Sequence, residues 1–435
     1  MQEKLLLKNC TILADAGAQG YAPIENGFLG VEGDTIAYIG AQKPEGYARE
    51  KDMRGALLCP GLINTHTHAA MTLLRGLGSG LPLDRWLHEA MFPVEDRLSD
   101  EDIYAGNALA QMEMLASGTT SYSDMYDKPL TAIALCEQSG MKINLCRPLL
   151  SFGPNERAAD SWRVQGTLAL FDGYHMAQNG RVRVDFSIHA EYTSHEAIVR
   201  EYAALGMQRG ARMHLHLSET QKEHEECKAK YNKTPAKWFY DLGVFELPTA
   251  AAHCVAVERA DMELMRACGV SVVHNPSSNM KLGSGFAPIP DMLQMGLNVS
   301  LGTDGAASND NLNLIEEMHL AALIHNGLKR DPTAMAPSQI LDMATKNGAK
   351  AQGRADTGAL AVGKKADIIA VSTDAPHMHP LLSPLPALIY SAQGSDVAMT
   401  MVDGKILYEN GEYLTIDAQR VYFEAAAAVK RLYGL

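Results

Sequence analysis

The chain has 435 residues, 46% of them apolar and 20% charged, a balance that suits a well-buried globular enzyme and excludes a disordered polymer. Its net charge of −13 argues against nucleic acid or an anionic membrane surface as a main partner. The N-terminal "MQEKLLLKNCTILADAG" lacks a secretory leader pattern, no apolar run reaches membrane-spanning length, and seven scattered cysteines form no Cys-x-x-Cys pair, so reduced thiols in a cytoplasm are expected.

In chain order, residues 1–57 read as short strands with Gly-rich turns, as in "KLLLKNCTILAD" and "GFLGVEGDTIAYIG". Residues 362–435 read the same way, in "ADIIAVST" and "AMTMVDGKILYENGEYL". Between them, over 58–361, short apolar runs alternate with helix-like segments: "GLINTHTH", "TTSYSDM", "MKINLCRPLL", "VRVDFSIHA", "ARMHLHLSE", "TAAAHCV", "VSVVHNP" and "VSLGTDG". The segment "SDEDIYAGNALAQMEMLASG" is a helix with Ser99 or Asp100 as cap and Gly118 as stop. Strands separated by helices imply parallel pairing, and eight such strands close a barrel. The expected fold is α/β: a (β/α)8 TIM-like barrel with a small flanking β-sandwich domain built from both termini.

Polar residues fall at the C-terminal ends of these runs, where barrels of this kind carry their chemistry. They are His66 and His68, His189, His216 with Glu219, His253, and Asp304. His66 and His68 are two apart on one strand, so their side chains share a face. His216 lies nearer its strand end than His214, which is read as a packed, hydrogen-bonded histidine. Three imidazoles (His66, His68, His216) and the Asp304 carboxylate suit zinc or ferrous iron with one open position. The competing reading of Asp304 is a turn or helix-capping aspartate. No lysine occurs between Lys142 and Lys222, so the fourth run offers nothing to bridge a second ion, and one divalent metal is expected. Glu219 is the natural acid/base group, with His253 placed to orient the attacking water or relay its proton. Cys254 is read as a buried small residue rather than a nucleophile. "HAE" at His189–Glu191 mimics a motif of unrelated zinc deaminases, but the Pro-Cys-x-x-Cys partner of that motif is missing.

Together these motifs resemble the amidohydrolase superfamily, in its cytosine-deaminase and atrazine-chlorohydrolase-like branch. "PGLINTHTH", "HLSET", "HNPSSNMKLGSGFAPI", "GTDGAASNDN" and "GALAVGKKADI" carry the likeness across nearly the whole chain. Within the branch, "LPLDRWLHEAMFPVEDRL" is similar to the 5′-methylthioadenosine/S-adenosylhomocysteine deaminases. The resemblance implies that Glu95 holds a ribose diol, that Trp86 packs beside the nucleoside, and that His189 hydrogen-bonds the purine. It implies that Arg147 meets the 5′ substituent and Arg163 a homocysteine carboxylate, with Arg157 as a competitor. Read alone, Glu95 would be an ordinary helix-face carboxylate and Trp86 a core residue. The implied reaction is deamination at C6 of a 5′-modified adenosine, Glu219 delivering a proton to N1 and His253 with Asp304 steadying the intermediate. The implied cofactor is one Zn2+ per subunit, with Fe2+ the alternative, and a homo-oligomer is expected. Rival readings are another substrate of the branch (guanine, 8-oxoguanine, cytosine, a chlorinated triazine) and a non-catalytic metal-binding protein.

Overall fold

The computed structural model describes residues 4–17, 20–153 and 155–434. The two chain ends build one nine-stranded sheet, continuous in its hydrogen bonding. Its keystone is Leu57–Pro60, which pairs in parallel with Lys4–Asp15 and antiparallel with Ile368–Val371, placing Leu58 opposite Ala370. All four residues of that strand are buried, which is why it reads as an uninterrupted apolar run rather than an alternating one.

The same strand leads straight through Gly61 into the barrel. A Cβ at Gly61 would sit 2.3 Å from the Thr120 side chain, so only glycine admits this close approach. Eight parallel strands follow: Leu62–Thr67, Thr119–Met125, Lys142–Cys146 with Pro148–Leu149, Val182–Val184 with Phe186–Ile188, Met213–Leu217, Thr249–His253, Ser271–His274 and Asn298–Leu301. They match the eight apolar runs of the sequence. The third and fourth strands each break once, at Arg147 and Asp185, dividing the ladder into a four-stranded and a six-stranded stretch. Asn144 Nδ2 donates to Asp185 Oδ2 at 2.9 Å and bridges that division. Strand eight meets strand one where the Asp304 N–H donates to the His66 carbonyl at 3.0 Å and Thr65 Oγ1 donates to the Leu301 carbonyl at 2.7 Å.

The helix predicted after "RL" spans Asp100–Ala116. Of the two candidate caps, Ser99 is the one used: its hydroxyl accepts the Asp102 N–H while the Asp102 carboxylate accepts the Ser99 N–H. Such a reciprocal cap satisfies two donors that every helix start leaves unpaired. No described helix is long and apolar enough to cross a membrane.

Barrel and sheet are locked by a buried charge cluster. Lys142 Nζ, on the third barrel strand, lies 2.7 Å from Asp367 Oδ1 and 2.7 Å from Asp403 Oδ1. Burial pushes the Asp367 carboxyl above its ordinary value, and Lys142 opposes that push. Removing the lysine leaves buried carboxylates without a counter-charge. Lys142→Ala should therefore lower unfolding stability by about 3–5 kcal/mol, read from the midpoint of chemical denaturation; a shift under about 1 kcal/mol would mean that water screens the cluster.

Candidate metal and substrate site

The ends of strands one, five, six and eight converge on one buried point. His66 Nε2 and His68 Nε2 lie 3.2 and 3.3 Å from Asp304 Oδ1. The donor atoms of His66, His68 and His216 all lie within 4.8 Å of one another, as do those of His66, His253 and Asp304. Gly302 makes this possible: a Cβ there would stand 2.9 Å from His66 Cβ and 2.5 Å from Asn275 Oδ1. Asp304, His253 and Ser218 all adopt left-handed backbone, with φ of 61°, 70° and 45°. Such strain is tolerated where surrounding packing over-determines the chain, and it aims these strand-end residues into the centre.

Each imidazole is oriented from behind. His68 Nδ1–H donates to the Met125 carbonyl at 2.6 Å, and His216 Nδ1–H to the His189 carbonyl at 2.8 Å. His66 Nδ1 shares a 2.9 Å hydrogen bond with His214 Nε2, so the deeper histidine supports the shallower one. All three rings thus keep Nε2 for the common point. Hydroxyls of Ser278 and Ser308 each donate to Asp304 Oδ2 at 2.7 Å, leaving Oδ1 facing the imidazoles. His66 Nε2 and Asp304 Oδ1 are buried with no hydrogen-bond partner among the described residues. Orphaned buried acceptors surrounded by rear-anchored ligands are what a divalent cation would satisfy. The residues present fit such an ion.

The electrostatics agree. Burial alone would raise the Asp304 carboxyl, but the His66 and His68 imidazoles outweigh it and hold the group well below its ordinary value. Burial also holds His66 down, to about 4, which keeps its ring neutral and able to donate a lone pair, whereas for His68 the Asp304 carboxylate overcomes burial and raises it to about 9, so a cation would have to displace a proton there.

Glu219 stands beside this point, 3.8 Å from His253 Nε2. Burial first, and then the Asp304 charge, raise its carboxyl well above the ordinary range. Its backbone is pinned: Glu223 carboxylate oxygens accept the N–H groups of Ser218 at 2.9 Å and Glu219 at 2.8 Å. Glu191 packs against Glu223, its own carboxyl raised by burial and by that neighbouring charge. His253 Nδ1–H donates to Asn279 Oδ1 at 2.9 Å, and burial keeps the ring neutral, so Nε2 is free to accept a proton. Cys254 is fully buried and burial raises its thiol, which is how an inert core cysteine behaves.

A cavity of about 560 Å3 opens onto these groups. His68, His216, Glu219, His253 and Asp304 form its floor, and Trp86, Glu95, His189 and Arg163 line its walls. Its volume matches that of a nucleoside-sized ligand site. Trp86 begins a π-helical turn, Trp86–Met91, and is almost fully buried, its Nε1 donating to the Leu77 carbonyl at 3.3 Å. Glu95 accepts a 2.7 Å hydrogen bond from the Tyr126 hydroxyl on Oε1. Burial keeps His189 neutral, with a pKa of about 3, and Thr193 Oγ1 lies 3.3 Å from its Nδ1.

The arginines separate. Arg163 reaches the cavity; Arg147 lies just behind it, outside the lining residues. Arg157 is exposed, pairs with Glu201 and faces a different, shallow depression. Sequence reasoning missed Asp127, whose two carboxylate oxygens each lie 2.8 Å from Arg163 Nη1. It also missed Tyr126, Asn279 and the Glu191–Glu223 pair. "YDKP", directly after the second strand, holds the signal for the first two, since residues following a strand end face the mouth.

The Amidohydrolase family model matches residues 57–407 of this chain. A 5-methylthioadenosine/S-adenosylhomocysteine deaminase of Acetivibrio thermocellus is 41% identical over 98% of this chain and 99% of its own length. A 5′-deoxyadenosine deaminase of Methanosarcina acetivorans is 40% identical over 98% of each chain. Among solved structures, an adenosine deaminase from Xanthomonas campestris with bound zinc superimposes with a TM-score of 0.93 at 30% identity, covering 99% of both chains.

Because His214 orients His66 without joining the central cluster, His214→Phe should weaken metal affinity by about 10–100-fold. Competition with a chromogenic chelator measures this. Unchanged affinity would show that His66 needs no support from behind.

Proposed function

The chain belongs to the amidohydrolase family, and from that premise we propose that it is a metal-dependent hydrolytic deaminase. Its substrate is a 5′-modified adenosine, whose 6-amino group is replaced by oxygen to give the inosine analogue and ammonia. The observation that carries this reading is the convergence, in one cavity, of the His/Asp cluster, the Glu219–His253 pair and Glu95. The relatives named above as adenosine-type deaminases support it. In the same proposal, residues 58–361 hold the catalytic barrel, and residues 1–57 with 362–435 are the flanking unit, residues 58–60 finishing a strand of its sheet before the chain enters the barrel.

His66, His68, His216 and Asp304 would hold one divalent ion per subunit, zinc by the chemistry of the donor set. Bound there, the ion supplies Lewis acidity that makes a water molecule a competent nucleophile near neutral pH. Glu95 accepts hydrogen bonds from the vicinal ribose hydroxyls through the oxygen that Tyr126 leaves open. Trp86 packs beside the nucleoside, and His189, held neutral, hydrogen-bonds the purine. Arg147 and Arg163 stand on the side of the 5′ substituent.

With the base so oriented, Glu219 moves a proton from the attacking water to N1 of the ring. That transfer draws electron density from C6 as oxygen adds. A carboxyl raised by burial suits the task, because it both accepts a proton and returns it. His253, with Nδ1 committed to Asn279, accepts at Nε2 the remaining proton of the oxygen adding at C6 and passes it to the amine; the C6–N bond breaks as the C6=O bond forms, and ammonia leaves. Glu219, His253 and Asp304 are buried at the cavity floor, so these fixed dipoles act at low dielectric.

Glu219→Gln should keep its metal and lose about 10²–10⁴-fold in kcat, measured as ammonia release. Retention of kcat within about threefold would remove Glu219 from the proton path. Glu95→Ala should reduce kcat/KM for nucleosides by about 10–100-fold, the cost of unpaired ribose hydroxyls. An equal rate of ammonia release from free bases in wild type and variant, with no loss on nucleosides, would point to a base deaminase instead.

A further inference from the structure

The arginine that reaches the 5′ side of the cavity, Arg163, is already engaged. Both Asp127 oxygens lie 2.8 Å from Arg163 Nη1, and Asp127 Oδ1 lies 3.5 Å from Arg147 Nε. Both guanidinium groups also stack on one indole: Arg163 lies 4.5 Å and Arg147 5.5 Å from the Trp162 ring centre. Arg163 and Arg147 are each less than one-fifth exposed, so their pairing is only partly screened by water. Lys128, the other lysine or arginine among the described lining residues, donates to the Leu98 carbonyl at 3.0 Å and pairs with Asp100 at 2.8 Å. Against these two cations the cavity wall carries five carboxyl side chains: Glu95, Asp96, Asp127, Glu219 and Asp304.

Resting on the deaminase reading, we propose that Asp127 is a specificity residue that selects substrates with an uncharged 5′ substituent. An amino-acid-bearing 5′ chain would bring an α-carboxylate and an ammonium. The carboxylate would have to displace Asp127 from Arg163 and then remain beside the displaced charge. The ammonium would have to compete with two guanidinium groups for the same Asp127 oxygens. At the Asp127–Arg163 pair neither end of the zwitterion finds an unengaged partner, whereas a 5′-deoxy or short thioether group makes no such demand. Leu150 and Phe152 line the same cavity and offer it apolar contact. The device selects by making the charged competitor break an existing pair, without adding a contact to the favoured substrate.

The test is kcat/KM of the metal-loaded full chain for 5′-methylthioadenosine, 5′-deoxyadenosine and S-adenosylhomocysteine, in wild type, Asp127→Asn and Asp127→Ser. Wild type should prefer the two uncharged nucleosides by about tenfold or more. Either variant should raise the adenosylhomocysteine-to-methylthioadenosine ratio by about tenfold, chiefly through KM. A wild type that uses all three equally overturns the proposal, whether or not the variants fold. So does a ratio that stays level, or one that falls in the variants, the mark of Asp127 gripping the ammonium. If wild type releases ammonia from none of the three, the deaminase reading falls first and the role of Asp127 with it.

Discussion

The peptide N–H of Asp304 donates to the His66 carbonyl across the seam between the last barrel strand and the first, while its side chain meets the rings of His66 and His68. One residue thus closes the backbone circle and gathers the central cluster. Closure and site geometry are therefore not separable. Any slip in register at this seam would move Asp304 away from both imidazoles, because a one-residue shift sends every side chain to the opposite face. Gly302 next to the seam, and the two serine hydroxyls on Oδ2, hold that register from either side.

Around this centre the protein keeps its polar groups in neutral or paired states through burial. His66, His189 and His253 are all held neutral by desolvation, and Glu219 is raised by the same cause. Asp304 goes the opposite way, because two imidazoles face it. Carboxyl groups pushed apart by their surroundings divide into one that stays charged and one that can carry a proton. Glu223 and Glu191 extend the arrangement outward, one holding the loop that bears Glu219 and the other packed against it.

Much of this was legible before the fold was known. The eight apolar runs, the His-x-His of strand one and the polar residues closing strands five, six and eight are local patterns, and side-chain alternation makes them readable. The breaks at Arg147 and Asp185 were not, since "MKINLCRPLL" and "VRVDFSIHA" look continuous and only hydrogen-bond partners reveal the division. Trp86 and Glu95 carry no local signal; composition alone makes them a core aromatic and a surface acid, and only their resemblance to known motifs marked them out. Pairing between Asp127 and Arg163 joins residues 36 apart in sequence, one just past the second strand and the other in the first turn of the helix Trp162–Tyr174. A charge in a list of residues says nothing about which opposite charge the fold will set against it. That Arg163 lines the cavity and Arg157 a separate depression is visible only in tertiary structure, for the same reason.

The strand Leu57–Pro60 finds one partner at the start of the chain and the other at Ile368–Val371, roughly 300 residues later. At ribosomal speeds of about 5–20 residues per second, the two are synthesised about 15–60 s apart. Until then the apolar edge of Leu57–Pro60 is unmatched, although the barrel strand that continues from it has long emerged. The four residues that lead into the barrel therefore wait for their second neighbour until every barrel strand has been made, so the sheet can close only around a barrel whose strands are already present.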